Sequence, residues 1–145
     1  MIRVDFAFDA RDRLRTACDV IRKHYLRGRR VIVYLNDDRA LARFEHLLWG
    51  FEPTAFIPHV RAEDPLASTT PVILCHTDPD PSLTQTGSEP AWLINLAVTC
   101  PPNSEQFTRI LEIVSDEHKD KEAARNRWRM YQSKGYDLHA HSLQR

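Results

Sequence analysis

The sequence of 145 residues predicts a three-layer α/β/α fold with a mainly parallel sheet of about five strands. Short β-branched or apolar runs alternate with longer segments whose apolar residues recur three or four positions apart. Parallel strands need crossover connections, and helical crossovers cover the faces of the sheet. The whole chain, residues 1–145, is predicted to form one domain, since no internal repeat or low-complexity tail divides it.

The first half of the chain predicts two strands and two helices. Residues 3–8 alternate polar and apolar side chains, as a strand with one buried face does. In residues 11–27 the apolar positions recur at helical spacing, and Gly28 follows as a typical C-terminal glycine. The β-branched run 29–35 is typical of a central parallel strand, and a second helix is predicted to end near Trp49.

The second half predicts three more strands, one short helix and one long helix. The strands are predicted where apolar runs lie between turn-rich segments, over residues 72–76, 91–96 and 110–114. A short helix is expected from Ser104 to about residue 109, and residues 119–138 are predicted to form the last helix. The resulting order, β-α-β-α-β-β-α-β-α, favours helices on both faces of the sheet.

Charge is unevenly distributed along a chain that is neutral overall, with 20 basic and 20 acidic residues. Residues 1–50 carry 11 Lys and Arg against 7 Asp and Glu, whereas residues 51–117 carry 2 against 10. Residues 118–145 carry 7 against 3. Proteins that coat nucleic acid normally present a broadly basic face, so the acidic middle argues against that class.

The composition also indicates a compartment. No apolar run approaches the roughly 20 residues that cross a bilayer, and the charged N-terminus lacks the apolar segment of a signal peptide. The 3 cysteines, Cys18, Cys75 and Cys100, have no metal-type spacing and are expected to be reduced thiols. These features predict a cytoplasmic protein without a membrane partner.

The motifs of nucleotide-binding and catalytic proteins are missing from the sequence. Its 4 glycines lie too far apart for a G-x-G-x-x-G or Walker loop, where the backbone must approach phosphate closely. Asp78 and Asp80 belong to a proline-rich segment typical of a surface turn, and no G-x-S-x-G motif presents a nucleophile. The Cys and His residues do not have the spacing of a zinc site. The sequence therefore predicts no cofactor, no metal and no catalytic residue.

The last predicted helix carries two adjoining stripes of side chains. Lys121, Arg125 and Arg129 fall at i, i+4 and i+8, so they share one face. On the adjoining stripe, the small side chain of Ala124 leaves a hollow beside Trp128. Three interpretations stay open from these residues alone: a solvated helix that packs by its aromatics, a phosphate-binding helix, and a socket for an acidic peptide with an apolar end.

The segment RWRMYQSKGYDLHAH follows EIV and a charged spacer. It resembles the C-terminal signature of the chi subunit of bacterial DNA polymerase III, and the resemblance extends over nearly the whole chain. The block RRVIVYLNDDRALARFEHLLW resembles its second strand and helix, and FIPH resembles the Phe-x-Pro-His signature that follows. The shared order of these blocks makes the resemblance specific.

The resemblance implies a non-enzymatic replication accessory, with an α/β/α fold related to nucleotide-binding domains but without nucleotide chemistry. Members of the family bind the acidic, phenylalanine-ended C-terminal tail of single-stranded DNA-binding protein. They also bind the psi subunit, which tethers them to the clamp loader, and in some bacteria they join a helicase instead. The expected function is an adaptor that contacts single-stranded DNA only indirectly.

The resemblance also implies which residues of this sequence form the two binding sites. Tail binding is expected of three cations and two pocket residues, Lys121, Arg125, Arg129, Trp128 and Val114. The surface that faces psi, or a helicase in its place, is expected to include Trp49, Phe56, Ile57 and Pro58. Arg129 stands where some members have lysine, and either residue supplies a positive charge.

Two other classes of function remain as alternatives: a nucleotide-binding or nuclease-like enzyme of the same α/β layout, and a direct single-stranded DNA binder. The glycine-free turns and the missing catalytic motifs argue against the enzyme. The acidic middle of the chain argues against the DNA binder.

Overall fold

Strands and helices alternate along the described residues, which are 1–50, 56–84 and 89–143 in this computed structural model. The strands are β1 Arg3–Ala10, β2 Val31–Tyr34, β3 His59–Arg61, β4 Val72–Cys75, β5 Trp92–Asn95, β6 Arg109–Ser115 and β7 Asp137–Ser142. The α-helices are α1 Arg13–Leu26, α2 Asp38–Gly50 and α3 His118–Ser133. Short 3-10 turns lie at Ala67–Thr69, Pro81–Leu83 and Ser104–Gln106.

The strands of the described residues form one sheet in the order β3-β4-β2-β5-β6-β1-β7, and every neighbouring pair is parallel. Helices α1 and α2 pack on one face of this sheet, and α3 packs on the other. The predicted α/β/α fold is therefore confirmed. The structure corrects the number of strands from about five to seven among the described residues. No helix within the described ranges is both long and apolar enough to cross a membrane.

The two strands that the sequence did not predict, β3 and β7, lie at the two edges of the sheet. An edge strand has one unpaired side and needs no continuous apolar run. None of the six residues of β7 is buried, and β3 has only three residues. In β7, His139 and His141 pair with Asp5 and Ala7 of β1, so this segment is an ordered strand.

Helix α3 ends earlier than predicted. It stops at Ser133 instead of residue 138, because Gly135 adopts a left-handed conformation with a φ of 76°. The N–H of Tyr136 donates to the carbonyl of Tyr131 at 3.2 Å, which closes the last turn before β7 begins. The short helix expected from Ser104 to about residue 109 is also shorter, since it ends at Gln106 and β6 begins at Arg109.

Strand alternation distributes the side chains of β1 between the two layers. Val4 and Phe6 belong to the core under α3, whereas Asp5 and Ala7 point to the face that carries α1 and α2. Helix α1 starts after Asp12, whose carboxylate accepts from the N–H of Arg15 at 3.2 Å as an N-cap. The strands β1, β6 and β7 thus present one surface to α3 and another to α1.

Candidate peptide-binding pocket on α3

The floor of a surface pocket is built by three neighbouring strands. Phe6 and Phe8 are two positions apart on β1, so both side chains point toward α3. Val114 of β6 and Ala140 of β7 flank them, because β1 lies between these two strands in the sheet. All four side chains are apolar, and the floor therefore offers no hydrogen-bonding side chain.

Helix α3 forms the wall of this pocket. Lys121, Ala124, Arg125 and Trp128 are spaced three or four residues apart, which places them on one face of the helix. The Trp128 ring packs on Phe6 with ring centroids 5.1 Å apart at 56°, so the indole is held against the floor. Ala124 also lines the pocket, and its small side chain leaves room beside Trp128.

These residues enclose a pocket of about 220 Å³, lined by Phe6, Phe8, Val114, Lys121, Ala124, Arg125, Trp128 and Ala140. Arg125 is exposed at its rim, and Lys121 is half-buried. Among the described residues, neither cation has a carboxylate partner. The arrangement is an apolar hollow with two available positive charges at its edge, which suits an anionic ligand with an apolar end.

The structure brings four of the five residues predicted for tail binding to this pocket. Val114, Lys121, Arg125 and Trp128 line it, whereas Arg129 lies outside the lining and donates to Asn126 Oδ1 at 2.9 Å. Their role in binding a peptide stays a prediction. Reasoning from the sequence missed the phenylalanines of β1 and Ala140. Strand alternation pairs the phenylalanines on one face, but nothing local to β1 indicates which helix covers them.

A buried polar network lies beneath the wall of the pocket. Glu112 of β6 is fully buried, and its carboxylate accepts from Arg127 Nε at 2.9 Å and from Tyr131 Oη at 2.7 Å. Asn95 Nδ2 donates to the same carboxylate at 2.9 Å. Arg127 also donates from Nη1 to the carbonyl of Val98 at 2.9 Å. These bonds connect α3 to β5 and β6.

The protonation state of this network follows from burial. Burial and the adjacent carboxylate of Glu112 raise the pKa of Tyr131 far above its usual value, so the hydroxyl stays a donor. Arg127 is 1% exposed and forms an ion pair with Glu112, which supplies the compensation that a buried charge needs. The network therefore has a structural role, and the exposed side of α3 carries the pocket.

A second exposed apolar surface lies around the end of α2. Trp49 is 57% exposed and Phe56 is 62% exposed, and their ring centroids are 5.3 Å apart. Trp49 also packs edge-on against His59 at 5.0 Å, and Pro58 is half-buried beside it. Ile57 is buried in the core under α1 and α2, so it supports this surface without displaying its own side chain. Residues 51–55, between the two aromatic rings, lie outside the described residues.

Asp78 and Asp80, the acidic pair of the proline-rich segment, do not form a metal site with other described residues, and Asp80 has a local structural role. Asp80 caps the turn Pro81–Leu83, because its carboxylate accepts from the N–H and the hydroxyl of Ser82 at 2.9 and 2.8 Å. Asp78 is exposed. Within residues 1–50, 56–84 and 89–143, no three His, Cys, Asp or Glu side chains are arranged to hold a metal ion.

Comparison with known proteins identifies the group of sequences to which this chain is similar. The family model described as "DNA polymerase III chi subunit, HolC" matches residues 1–139. A protein of Pseudomonas aeruginosa named "DNA polymerase III subunit chi" is 34% identical over 149 positions, which cover 100% of this chain and 99% of that protein.

More distant relatives carry the same name. The protein of Escherichia coli K12 is 24% identical over 83% of this chain and 79% of its own length. The protein of Haemophilus influenzae is 23% identical over 84% of this chain and 81% of its own length. Both are called DNA polymerase III subunit chi.

Proposed function

Because the chain belongs to the family of the DNA polymerase III chi subunit, we propose that it is the adaptor between the clamp loader and DNA coated by single-stranded DNA-binding protein. The general role of the family is that of an accessory subunit in DNA replication, without a catalytic site of its own. In the adaptor role, one surface binds the C-terminal tail of single-stranded DNA-binding protein and another binds the psi subunit. We place this activity in the cytoplasm.

The observation that carries the proposal is the pocket of about 220 Å³ beside α3. The tail is acidic and ends in phenylalanine, so it presents one apolar ring together with several carboxylates. The ring fits the apolar floor formed by Phe6, Phe8 and Val114, where it would be removed from water. Trp128 offers an aromatic face against which a phenyl ring packs favourably.

The two cations at the rim match the carboxylates of such a tail. Arg125 borders the apolar floor, so a peptide whose last ring fills the hollow brings its terminal carboxylate near this guanidinium. Guanidinium binds carboxylate through two parallel hydrogen bonds, and these charge-assisted bonds are stronger than neutral ones. Lys121 lies one helical turn earlier and meets the preceding acidic residues.

The test is a titration with a synthetic acidic peptide that ends in phenylalanine, followed by fluorescence anisotropy at two salt concentrations. We expect Arg125→Ala to weaken binding by roughly 1.5–3 kcal/mol, which is about ten- to a hundredfold in affinity. Trp128→Ala is expected to weaken it as well, since the hollow loses its aromatic wall. Binding should also weaken with salt, because exposed charges are screened.

Arg129→Ala is the matched control for this titration. It removes the same charge from the same helix, but Arg129 lies outside the pocket lining, so its effect should be clearly smaller than that of Arg125→Ala. Circular dichroism verifies that each variant is folded. An affinity that is unchanged in folded Arg125→Ala would mean that α3 is only a solvated surface, and the tail proposal would fail.

The exposed aromatic surface around Trp49 is proposed as the site for psi, or for a helicase in its place. Large exposed aromatic side chains in contact with each other are typical anchors of protein interfaces. Phe56→Ala should weaken capture of psi by about tenfold and leave peptide binding unchanged. Leu66→Ala, which truncates another exposed apolar side chain, is the control. If Phe56→Ala unfolds the protein, Phe56 is a core residue and the surface assignment is wrong.

A further inference from the structure

A second groove lies on the opposite face of β1 from the peptide pocket. It has a volume of about 340 Å³ and runs between α1 and the exposed face of β1 and β7. Five cations line it, Arg3, Lys23, Arg27, Arg29 and Arg109. They come from β1, from the last turn of α1 and the residue that caps it, from the turn before β2, and from the start of β6. A chain that is neutral overall therefore has a concentrated positive region at this place.

The carboxylates near the groove neutralise its cations only in part, although Asp137 of β7 also acts on Arg3. Asp5 accepts from Arg3 Nε at 3.1 Å and from Arg109 Nε at 2.8 Å, so one negative charge serves two positive ones. The other acidic residue of the lining, Glu112, directs its carboxylate into the buried network under α3. Lys23 and Arg27 are exposed and have no carboxylate partner within the described part of the chain.

The cationic surface continues past the groove around Trp92. The guanidinium carbons of Arg29 and Arg109 lie 4.3 and 4.2 Å from the centre of the Trp92 ring, which holds both side chains in place. A second cavity of about 390 Å³ shares Arg27, Arg29 and Trp92 with the groove and is also lined by Glu89. The cations are therefore spread over an extended surface and are not confined to one point.

His24 lies among the cations of this groove. Its Nδ1 accepts a hydrogen bond from Arg29 Nη1 at 2.8 Å, so the imidazole is neutral at that nitrogen. Burial first, and then the charges of Arg29, Lys23, Arg109 and Arg27, lower the pKa of His24 to about 4.

We propose that this groove binds the phosphate backbone of single-stranded DNA directly. The lining residues of β1 extend from Arg3 to Ala7, about 13 Å at the rise of a strand, and cations from α1, β6 and the turn before β2 line the same groove. A row of cations from separate elements matches the regularly repeated charge of a phosphodiester chain. An acidic tail presents its carboxylates next to one apolar anchor, and that chemistry matches the pocket on α3 instead.

The groove lies close to the peptide pocket, so a DNA contact there would act together with tail binding. This role of the groove rests on the proposed function. Alternate residues of β1 line the two sites: Phe6 and Phe8 face the pocket, whereas Arg3, Asp5 and Ala7 face the groove. On β7, Ala140 lines the pocket and His141 lines the groove. A tail bound at the pocket keeps its DNA close to the groove, so even a weak phosphate contact acts at high effective concentration.

The experiment measures binding of a labelled 20-nucleotide oligothymidylate by fluorescence anisotropy from about 20 to 200 mM salt, without any tailed protein. We compare the wild type with Lys23→Ala/Arg27→Ala. The wild type should bind with a Kd on the order of 10⁻⁵ to 10⁻⁴ M at low salt. Loss of two phosphate contacts should reduce the slope of log K against log salt by about 1.4 and weaken binding by roughly ten- to a hundredfold at low salt.

The control is Arg39→Ala/Arg43→Ala, which removes the same charge from exposed positions of α2 outside the groove. This control should retain the wild-type slope. An equal loss in both double variants would overturn the proposal, because the binding would then depend only on net charge. Absence of salt-dependent binding in the wild type would overturn it as well.

Two further measurements separate this proposal from the proposed function. Lys23→Ala/Arg27→Ala should bind the acidic phenylalanine-ended peptide as the wild type does, and Trp128→Ala should bind the oligothymidylate as the wild type does. A wild type that binds the oligothymidylate but does not bind the peptide would refute only the tail pocket. An oligo-glutamate of matched charge should compete weakly. If it binds more tightly than the oligothymidylate, the groove binds an acidic protein segment and the DNA assignment is wrong.

Discussion

Arg125 and Arg127 lie two positions apart on α3, and the fold uses them in opposite ways. Arg125 is exposed at the rim of the pocket and has no carboxylate partner in the described part of the chain. Arg127 is 1% exposed and donates to Glu112 and to the carbonyl of Val98. At 100° per residue, two positions rotate a side chain by about 200°, which moves it from solvent to the sheet.

This comparison shows that the same residue type can serve two purposes on one helix, as an exposed charge available for binding and as a buried charge that stabilises the fold. The buried arginine fixes how α3 sits on the sheet, because Glu112 accepts from Arg127 and Tyr131 one helical turn apart. The same placement puts Trp128, between them in sequence, against Phe6. The exposed arginine depends on that placement, since the pocket beside it is formed only when α3 packs over β1 in this position.

The largest expected effect comes from removing the partner of the buried arginine. Glu112→Ala should lower the free energy of unfolding by about 3–5 kcal/mol, because it leaves Arg127 buried without its counter-charge. Urea denaturation monitored by circular dichroism measures this. The control is Glu122→Ala, which removes an exposed carboxylate paired with His118 and should change stability by no more than about 0.5 kcal/mol.

The double variant Glu112→Leu/Arg127→Met tests whether the charges act as a pair. It should be less destabilised than the sum of the two single variants, since no uncompensated charge remains in the core. Additive losses would show that the two charges contribute independently. A loss below about 1 kcal/mol in Glu112→Ala would remove the distinction between the structural and the binding arginine.

A smaller effect is expected at His24, the buried basic group on the other face of the sheet. Arg127 forms an ion pair with a carboxylate, whereas His24 faces cations and has a pKa lowered to about 4 by burial and by those charges. The unfolded chain takes up the proton near pH 6.5, before the native state does. Stability is therefore fully present above about pH 6.5 and is lost progressively as the pH falls toward 4.

Urea denaturation at pH 7.5, 6.0 and 4.5 measures this contribution when the wild type is compared with His24→Asn. The wild type should lose about 1–3 kcal/mol more than the variant over this range. Asparagine retains an acceptor for Arg29 but does not titrate. The contributions of all other titratable groups therefore cancel when the two proteins are compared. Parallel pH profiles of the two proteins would show that His24 takes up a proton without cost to the fold.

Much of the fold was predictable because its signals are local. The apolar spacing of α1, the β-branched run of β2 and the alternation in β1 all appear within one element, and the structure contains each of them. The strand β7 was not predictable in this way. Its polar sequence DLHAHS becomes a strand only because β1 offers it an unpaired edge.

In the candidate site, too, some residues were predictable from local spacing and others were not. The spacing of Lys121, Arg125 and Trp128 on one helical face is a property of the sequence, and the structure brings these residues to one pocket. The phenylalanines that form its floor precede α3 by more than 100 residues, and no local pattern connects them. The partner of Arg127 is likewise 15 residues away on another element.

The sequence by itself determined where the three α-helices and five of the seven described strands lie, which residues share a helical face, and that the chain has no phosphate-binding glycine loop. The tertiary structure alone decided which charges are buried in pairs and which stay in water. It also gathered Arg3, Lys23, Arg27, Arg29 and Arg109 around one groove in a chain of zero net charge. The physical reason is that periodicity acts between neighbours along the chain, whereas burial and electrostatic potential depend on groups that only the folded sheet brings together.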